Sequence, residues 1–266
     1  MKKKRIVVPI IITASILAGI AIASIVKFKK ACTGLCSGCN GCNNQPRPDV
    51  SYYMDKKADL IRAFEKNQRI FQPLLAKEYD ARQLEEIVLE TKAEFVDQID
   101  AIPYIGGDDN QLTEDIEQAA MVLAFYKVQK AHGKTTDEIG TIITESIKTE
   151  LYKVPGFIRH FIGGRFFTKN HLERVRAQAF KSQKRQYKYD WVTEYVESDG
   201  SAFDYGFNHI ECGIVKYLSE NGALDIVPYL CSLDFIYSDA LGEGLMRTTT
   251  IAEDGTICDF RFKRVE

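Results

Sequence analysis

Apolar residues recur at helical spacing through the first half of the chain. Leu84, Ile87, Val88, Thr91, Phe95 and Ile99 keep to one face, which predicts a first long helix. A second is predicted over residues 112–132, with Gly133 as its C-terminal stop. Thr135 and Glu138 have the spacing of a capping box and open a third, which carries Ile139, Ile142, Ile143 and Ile147. After Tyr187 the pattern changes. Trp191, Val192, Tyr195 and Val196 precede Asp199-Gly200, and Phe203, Tyr205 and Phe207 follow, which predicts a β-hairpin with a tight turn. Residues 245–251 and 256–262, on either side of Glu253-Asp254-Gly255, predict a second hairpin, and residues 212–241 between the hairpins read as mostly helical. The expected class is α+β: a helical N-terminal part, then an antiparallel sheet of two hairpins with intervening helices. No internal repeat is visible.

Residues 6–26 carry no charge, and at helical rise they reach about 31 Å, enough for a hydrocarbon core of about 30 Å. We expect a single-pass transmembrane helix in contact with membrane lipid. Lys2, Lys3, Lys4 and Arg5 with the small residues Ala21, Ala23 and Ser24 also fit a signal peptide, but the apolar run is long for one. Lys27, Lys29 and Lys30 nearly balance the basic residues on the other side, so charge leaves the orientation open. The division expected is a membrane anchor at 1–30, a cysteine-rich linker at 31–50 and a folded domain at 51–266.

The formal charge of −2 and the 45% apolar content point neither to a nucleic-acid binder nor to disorder. One stretch is locally basic: residues 153–188 hold ten Lys or Arg against the single acid Glu173, interleaved with Phe157, Phe161, Phe166, Phe167 and Phe180. The expectation is a solvated basic face over a packed aromatic stripe, with anionic lipid as the alternative.

Cysteine supplies the candidate chemistry. Cys32, Cys36, Cys39 and Cys42 lie within eleven residues, close enough to wrap zinc or an iron–sulfur cluster, or to pair as disulfides outside the cell. Cys212, Cys231 and Cys258 have His209, Asp234 and Asp259 nearby in sequence, so a polar cluster forms if the helical stretch folds over the hairpins. Taken singly, each thiol reads as a small core hydrophobe. His132, His160 and His171 read as ordinary histidines.

Several separate blocks, in one order, are similar to the L-2-amino-thiazoline-4-carboxylic acid hydrolase family. They are Ile102-Pro103-Tyr104-Ile105-Gly106-Gly107 with Asn110-Gln111-Leu112-Thr113, and Asp204-Tyr205-Gly206-Phe207-Asn208 leading to Glu211-Cys212-Gly213-Ile214. Pro228-Tyr229-Leu230-Cys231-Ser232-Leu233-Asp234, Arg247-Thr248-Thr249-Thr250-Ile251-Ala252 and Cys258-Asp259-Phe260-Arg261-Phe262 complete the resemblance, which runs from about Ser51 to the end. The anchor and the four-cysteine segment lie outside it.

The resemblance implies a small-molecule substrate: water adds to the ring carbon between sulfur and nitrogen of a cyclic isothiourea, and the thiolate leaves to give N-carbamoyl-cysteine. Such a reaction needs a base, a donor for developing charge and a cation for the substrate carboxylate. Asp234 or His209 is the expected base, and Arg247 or Arg261 the carboxylate anchor. Cys212, Cys231 and Cys258 are either a nucleophile with supporting thiols or ligands of a metal that polarises the water. The alternative function is a membrane-tethered sensor that binds a metal or small molecule without turning it over.

Overall fold

Helices begin where the sequence supplies caps. In this computed structural model, which describes residues 48–265 apart from Asp199, the Asp80 carboxylate accepts from the Arg82 and Gln83 amides and Gln83 reaches back to the Asp80 amide. Thr135 and Glu138 make the same reciprocal box. The helices are α1 (Pro48–Asp55), α2 (Lys57–Gln68), α3 (Gln72–Leu75), α4 (Ala81–Gln98), α5 (Thr113–Ala131), α6 (Thr136–Tyr152), α7 (Gly156–Gly164) and α8 (Lys169–Ser182), followed after two strands by α9 (Gly213–Glu220) and α10 (Val227–Leu241). The three long helices expected are α4, α5 and α6, and Gly133 adopts φ +84° at the end of α5. The apolar run of residues 6–26 and Cys32, Cys36, Cys39 and Cys42 lie outside the described residues. Among those described, no helix is long and apolar enough to cross a membrane.

Helix α5 is the centre of the main core. Ile116, Ala120, Leu123 and Ala124 are all within 1% of complete burial, and α4, α6 and α9 pack around them. Helix α10 lies against α6 and α7 at close range. A methyl group on Gly140 would meet the Tyr229 ring at 2.2 Å, and one on Gly163 would meet the Leu241 carbonyl oxygen at 2.0 Å. These two glycines let α6 and α7 approach α10.

The strands are β1 (Val192–Val196), β2 (Tyr205–Glu211), β3 (Leu245–Met246) and β4 (Cys258–Phe262), all antiparallel, in the order β1-β2-β4-β3. Both hairpins exist, joined into one sheet by the β2–β4 pairing, and α8 packs on β1. Two details differ from expectation. The β1–β2 connection runs over residues 197–204 and is not a two-residue turn. Strand β3 stops at Met246 because the next backbone donors leave the ladder: the Thr248 and Thr249 amides go to the Asp259 carboxylate, and the Ile251 amide goes to Cys258 Sγ.

The basic stretch is a solvated face, as expected. Arg176 pairs with Glu197, Arg185 with Glu211 and Lys188 with Glu220, acids drawn mostly from outside the stretch. The packed aromatic stripe is corrected. Phe166 is buried, but Phe157, Phe161 and Phe180 are exposed, because α7 and α8 turn those faces away from the core.

Candidate active site

The sheet offers one face to the interior. Alternation along the strands sends Thr193, Tyr205, Phe207, His209, Cys258, Phe260 and Phe262 to the same side, and all seven line a cavity of about 260 Å³. Register sets them in rows: Thr193 opposite His209, His209 opposite Cys258, Phe207 opposite Phe260 and Tyr205 opposite Phe262. Facing them, Val227, Leu230, Cys231 and Asp234 fall at helical spacing on one stripe of α10. Cys212, at the start of α9, and Arg247, just beyond β3, close the same space.

Cys212, Cys231, Cys258, His209, Asp234 and Arg247 are thus brought together. Arg261 is not. It shares the opposite face of β4 with Asp259, where its Nη1 donates to Asn208 Oδ1 (3.0 Å) and to the Phe260 carbonyl (2.8 Å). Of the two candidate carboxylate anchors, only Arg247 lines the cavity.

Arg247 is the organising cation. Its Nη1 donates to Asp234 Oδ2 at 2.6 Å and its Nη2 to the Cys231 carbonyl at 2.8 Å. Its guanidinium carbon lies 4.9 Å from the Phe235 ring centre and 5.0 Å from that of Phe260, where the ring faces attract a cation. Its side chain is 4% exposed; that of Asp234 is 29% exposed, and Asp234 lines the cavity. Enclosure at the cavity wall nonetheless outweighs the Arg247 charge: burial pushes the Asp234 carboxyl up to about 6, with Arg247 pulling the other way. Asp234 is ionised at neutral pH but only just, as a general base should be.

His209 is held neutral. Burial, aided by the Arg247 charge, lowers it to about 3, and its Nδ1 sits 2.8 Å from Thr193 Oγ1. A base that weak is a poorer acceptor at neutral pH than Asp234. A neutral ring carries one proton; in the tautomer where the Thr193 hydroxyl donates to Nδ1, that proton is on Nε2, which is then a neutral donor.

The thiols are held protonated. Burial raises Cys212 to about 12, with the amides of Val215 and Ile214 offsetting part of the effect, and it raises Cys231 and Cys258 as well. Among the described residues no group of three or more His, Cys, Asp or Glu is placed to hold a metal ion.

Glu243 was not anticipated. It follows α10 between Gly242 (φ +73°) and Gly244 (φ +58°), which reverse the chain into β3, and it is 2% exposed while lining the cavity. Its Oε1 has no hydrogen-bond partner among the described residues. Burial, then the nearby Asp234 charge, pushes its carboxyl up to about 8, so it carries a proton at neutral pH. The sequence does hold a signal for it, an acid between two glycines directly after an apolar helix. Asp234 and Glu243 form a pair of carboxyl groups whose environments separate their proton affinities, the arrangement that divides base from acid.

A family model described as L-2-amino-thiazoline-4-carboxylic acid hydrolase matches residues 114–262. No curated protein and no solved structure matches the chain.

Proposed function

The chain belongs to the L-2-amino-thiazoline-4-carboxylic acid hydrolase family, and from that premise we propose that it hydrolyses the ring of an aminothiazoline carboxylate. The observation that carries the reading is the meeting, in one cavity, of an ionised Asp234 bound to Arg247 and a protonated Glu243.

Water is the attacking group. Asp234 takes its proton as the water oxygen bonds to the ring carbon between sulfur and nitrogen. His209 donates from Nε2 to the charge developing on the ring nitrogen. Asp234 passes the proton it took from water to the ring nitrogen. The carbon–sulfur bond then breaks as the adduct's hydroxyl gives its remaining proton to Asp234 and Glu243 protonates the departing sulfur, leaving the thiol and the carbamoyl group of N-carbamoyl-cysteine. A proton passing from Asp234 to Glu243 resets the pair. Arg247 spends two of its five donors on Asp234 and Cys231 and turns the rest to the substrate carboxylate. Cys212, Cys231 and Cys258 shape the wall.

The test is thiol release from the aminothiazoline carboxylate by the full chain, beside Cys212→Ala. Release with a 1:1 yield of N-carbamoyl-cysteine, retained within about fivefold in Cys212→Ala, is expected if water attacks directly. No release by the unmodified chain, with binding intact, would replace the hydrolase by a binding module.

We also propose that residues 6–26 tether this domain, bounded by about Ser51, to a membrane. The support is the uncharged apolar run and its length. After carbonate washing, the full chain is expected in the membrane pellet and a chain starting at Ser51 in the supernatant; full chain in the supernatant would remove the tether.

A further inference from the structure

The cavity is larger than a bare aminothiazoline carboxylate needs. An apolar cavity of about 150 Å³ takes a benzene ring, and this one, at about 260 Å³, exceeds that by more than half. The surplus has a definite character. The chemical groups gather where α10, β3 and the sheet face meet, while the helical half lines the rest, mostly with apolar side chains such as Phe64, Phe71, Met121, Phe125, Ile143 and Ile147. The polar Gln111, Asp115, Gln118, His171, Arg174 and Gln178 line it too.

Most of the polar side chains in that arm of the cavity already have partners in the protein, Asp115 and Arg174 among them. Gln68 Nε2 donates to the Val88 carbonyl at 2.8 Å, Thr91 Oγ1 to the Ile87 carbonyl at 2.7 Å, and Asn67 Nδ2 reaches Met121 Sδ at 3.6 Å. An arm so lined binds water weakly and apolar groups well. The cavity as a whole is elongated: along α10, head site included, its lining runs from Val227 to Tyr237, ten positions or about 15 Å of helix axis.

We propose that the physiological substrate is an amphiphile, with a carboxylate-bearing isothiourea head at Asp234 and Arg247 and an unbranched apolar tail in the arm between the helices. The proposal rests on the hydrolase reading for its head group and on the cavity lining for its tail. The tail takes no part in the reaction: the same carbon–oxygen bond forms and the same carbon–sulfur bond breaks.

The probe is 2-(hexylamino)-thiazoline-4-carboxylate, compared with the unsubstituted compound on the full chain. Each methylene fully buried is worth up to about fourfold in affinity, so kcat/KM is expected to rise at least tenfold with the hexyl group. Val122→Phe, which places a ring in the arm, should narrow that ratio. Equal or slower turnover of the hexyl compound, with the parent turned over normally, overturns the tail while leaving the hydrolase intact. If neither compound is turned over, the hydrolase reading has failed and calorimetry decides the tail: hexyl binding at least tenfold tighter than the parent supports it, and equal binding overturns it.

Discussion

Asp234→Asn is expected to lower kcat by about 10²–10⁴-fold, the range contributed by a positioned general base. Asn has nearly the same shape and keeps an oxygen for Arg247, so the 2.6 Å contact survives in outline while the capacity to accept a proton at neutral pH is gone. The substitution has a second consequence. Arg247 is 4% exposed and would lose its counter-charge, and stranding a buried charge in this way costs about 3 kcal/mol. The two effects separate by experiment: kcat is measured at a temperature where circular dichroism shows the variant folded, and stability by urea unfolding. Turnover within a few fold of the unmodified chain would mean that Asp234 only holds Arg247 in place. Arg261→Ala, on the other face of β4, serves as a contrast and should change turnover by less than about threefold.

Glu243→Gln is expected to lower kcat by about 10²-fold and to change the shape of the pH profile. The unmodified chain needs Asp234 ionised, which holds above about pH 6, and Glu243 protonated, which holds below about pH 8. Its rate should be bell-shaped with a maximum near neutrality. In Glu243→Gln the alkaline limb should vanish and the acid limb stay near 6; an unchanged alkaline limb would take the acid role from Glu243.

Stability follows the same proton. Glu243 titrates higher in the folded chain, about 8, than the ordinary 4.5. The stability contributed by its protonated form is therefore complete below about pH 4.5 and is lost as pH rises through 8. Between pH 7 and 8 its contribution is the larger one, because His171 and His209 are lowered and already neutral, and Glu117, raised to about 7, is already half ionised where the interval begins. Over that interval Glu243 should cost the unmodified chain about 1 kcal/mol of stability, a loss that Glu243→Gln removes.

Much of the helical half was legible because its signals are local. Thr135 and Glu138 cap a helix through bonds three residues apart, Gly133 stops one through its own backbone freedom, and the period of Ile87, Thr91 and Phe95 names a buried face directly. The convergence of Cys212, Cys231, Cys258, His209 and Asp234 was also anticipated, since the blocks that hold them stand in one order. The choice between Arg247 and Arg261 was available in principle. Strand alternation puts Arg261 on the side away from Cys258, Phe260 and Phe262, but only once β4 is known to begin at Cys258.

Other features depend on distant parts of the chain. Strand β3 ends after two residues because Asp259 captures the amides of Thr248 and Thr249, a bond between segments ten or eleven residues apart. The β2–β4 pairing joins residues some fifty positions apart and makes one sheet from two hairpins. Glu243 is one of 37 acids in the sequence, and nothing in its neighbours states that it will be buried without a partner for Oε1. By itself the sequence determined the helices, the hairpins, the family and most of the side chains proposed for the chemistry, because period, capping and motif act over a few residues. Only the tertiary structure decided which arginine faces the cavity, which carboxyl keeps its proton and how much apolar space lies beside them, because desolvation and charge depend on groups that the chain brings together from afar.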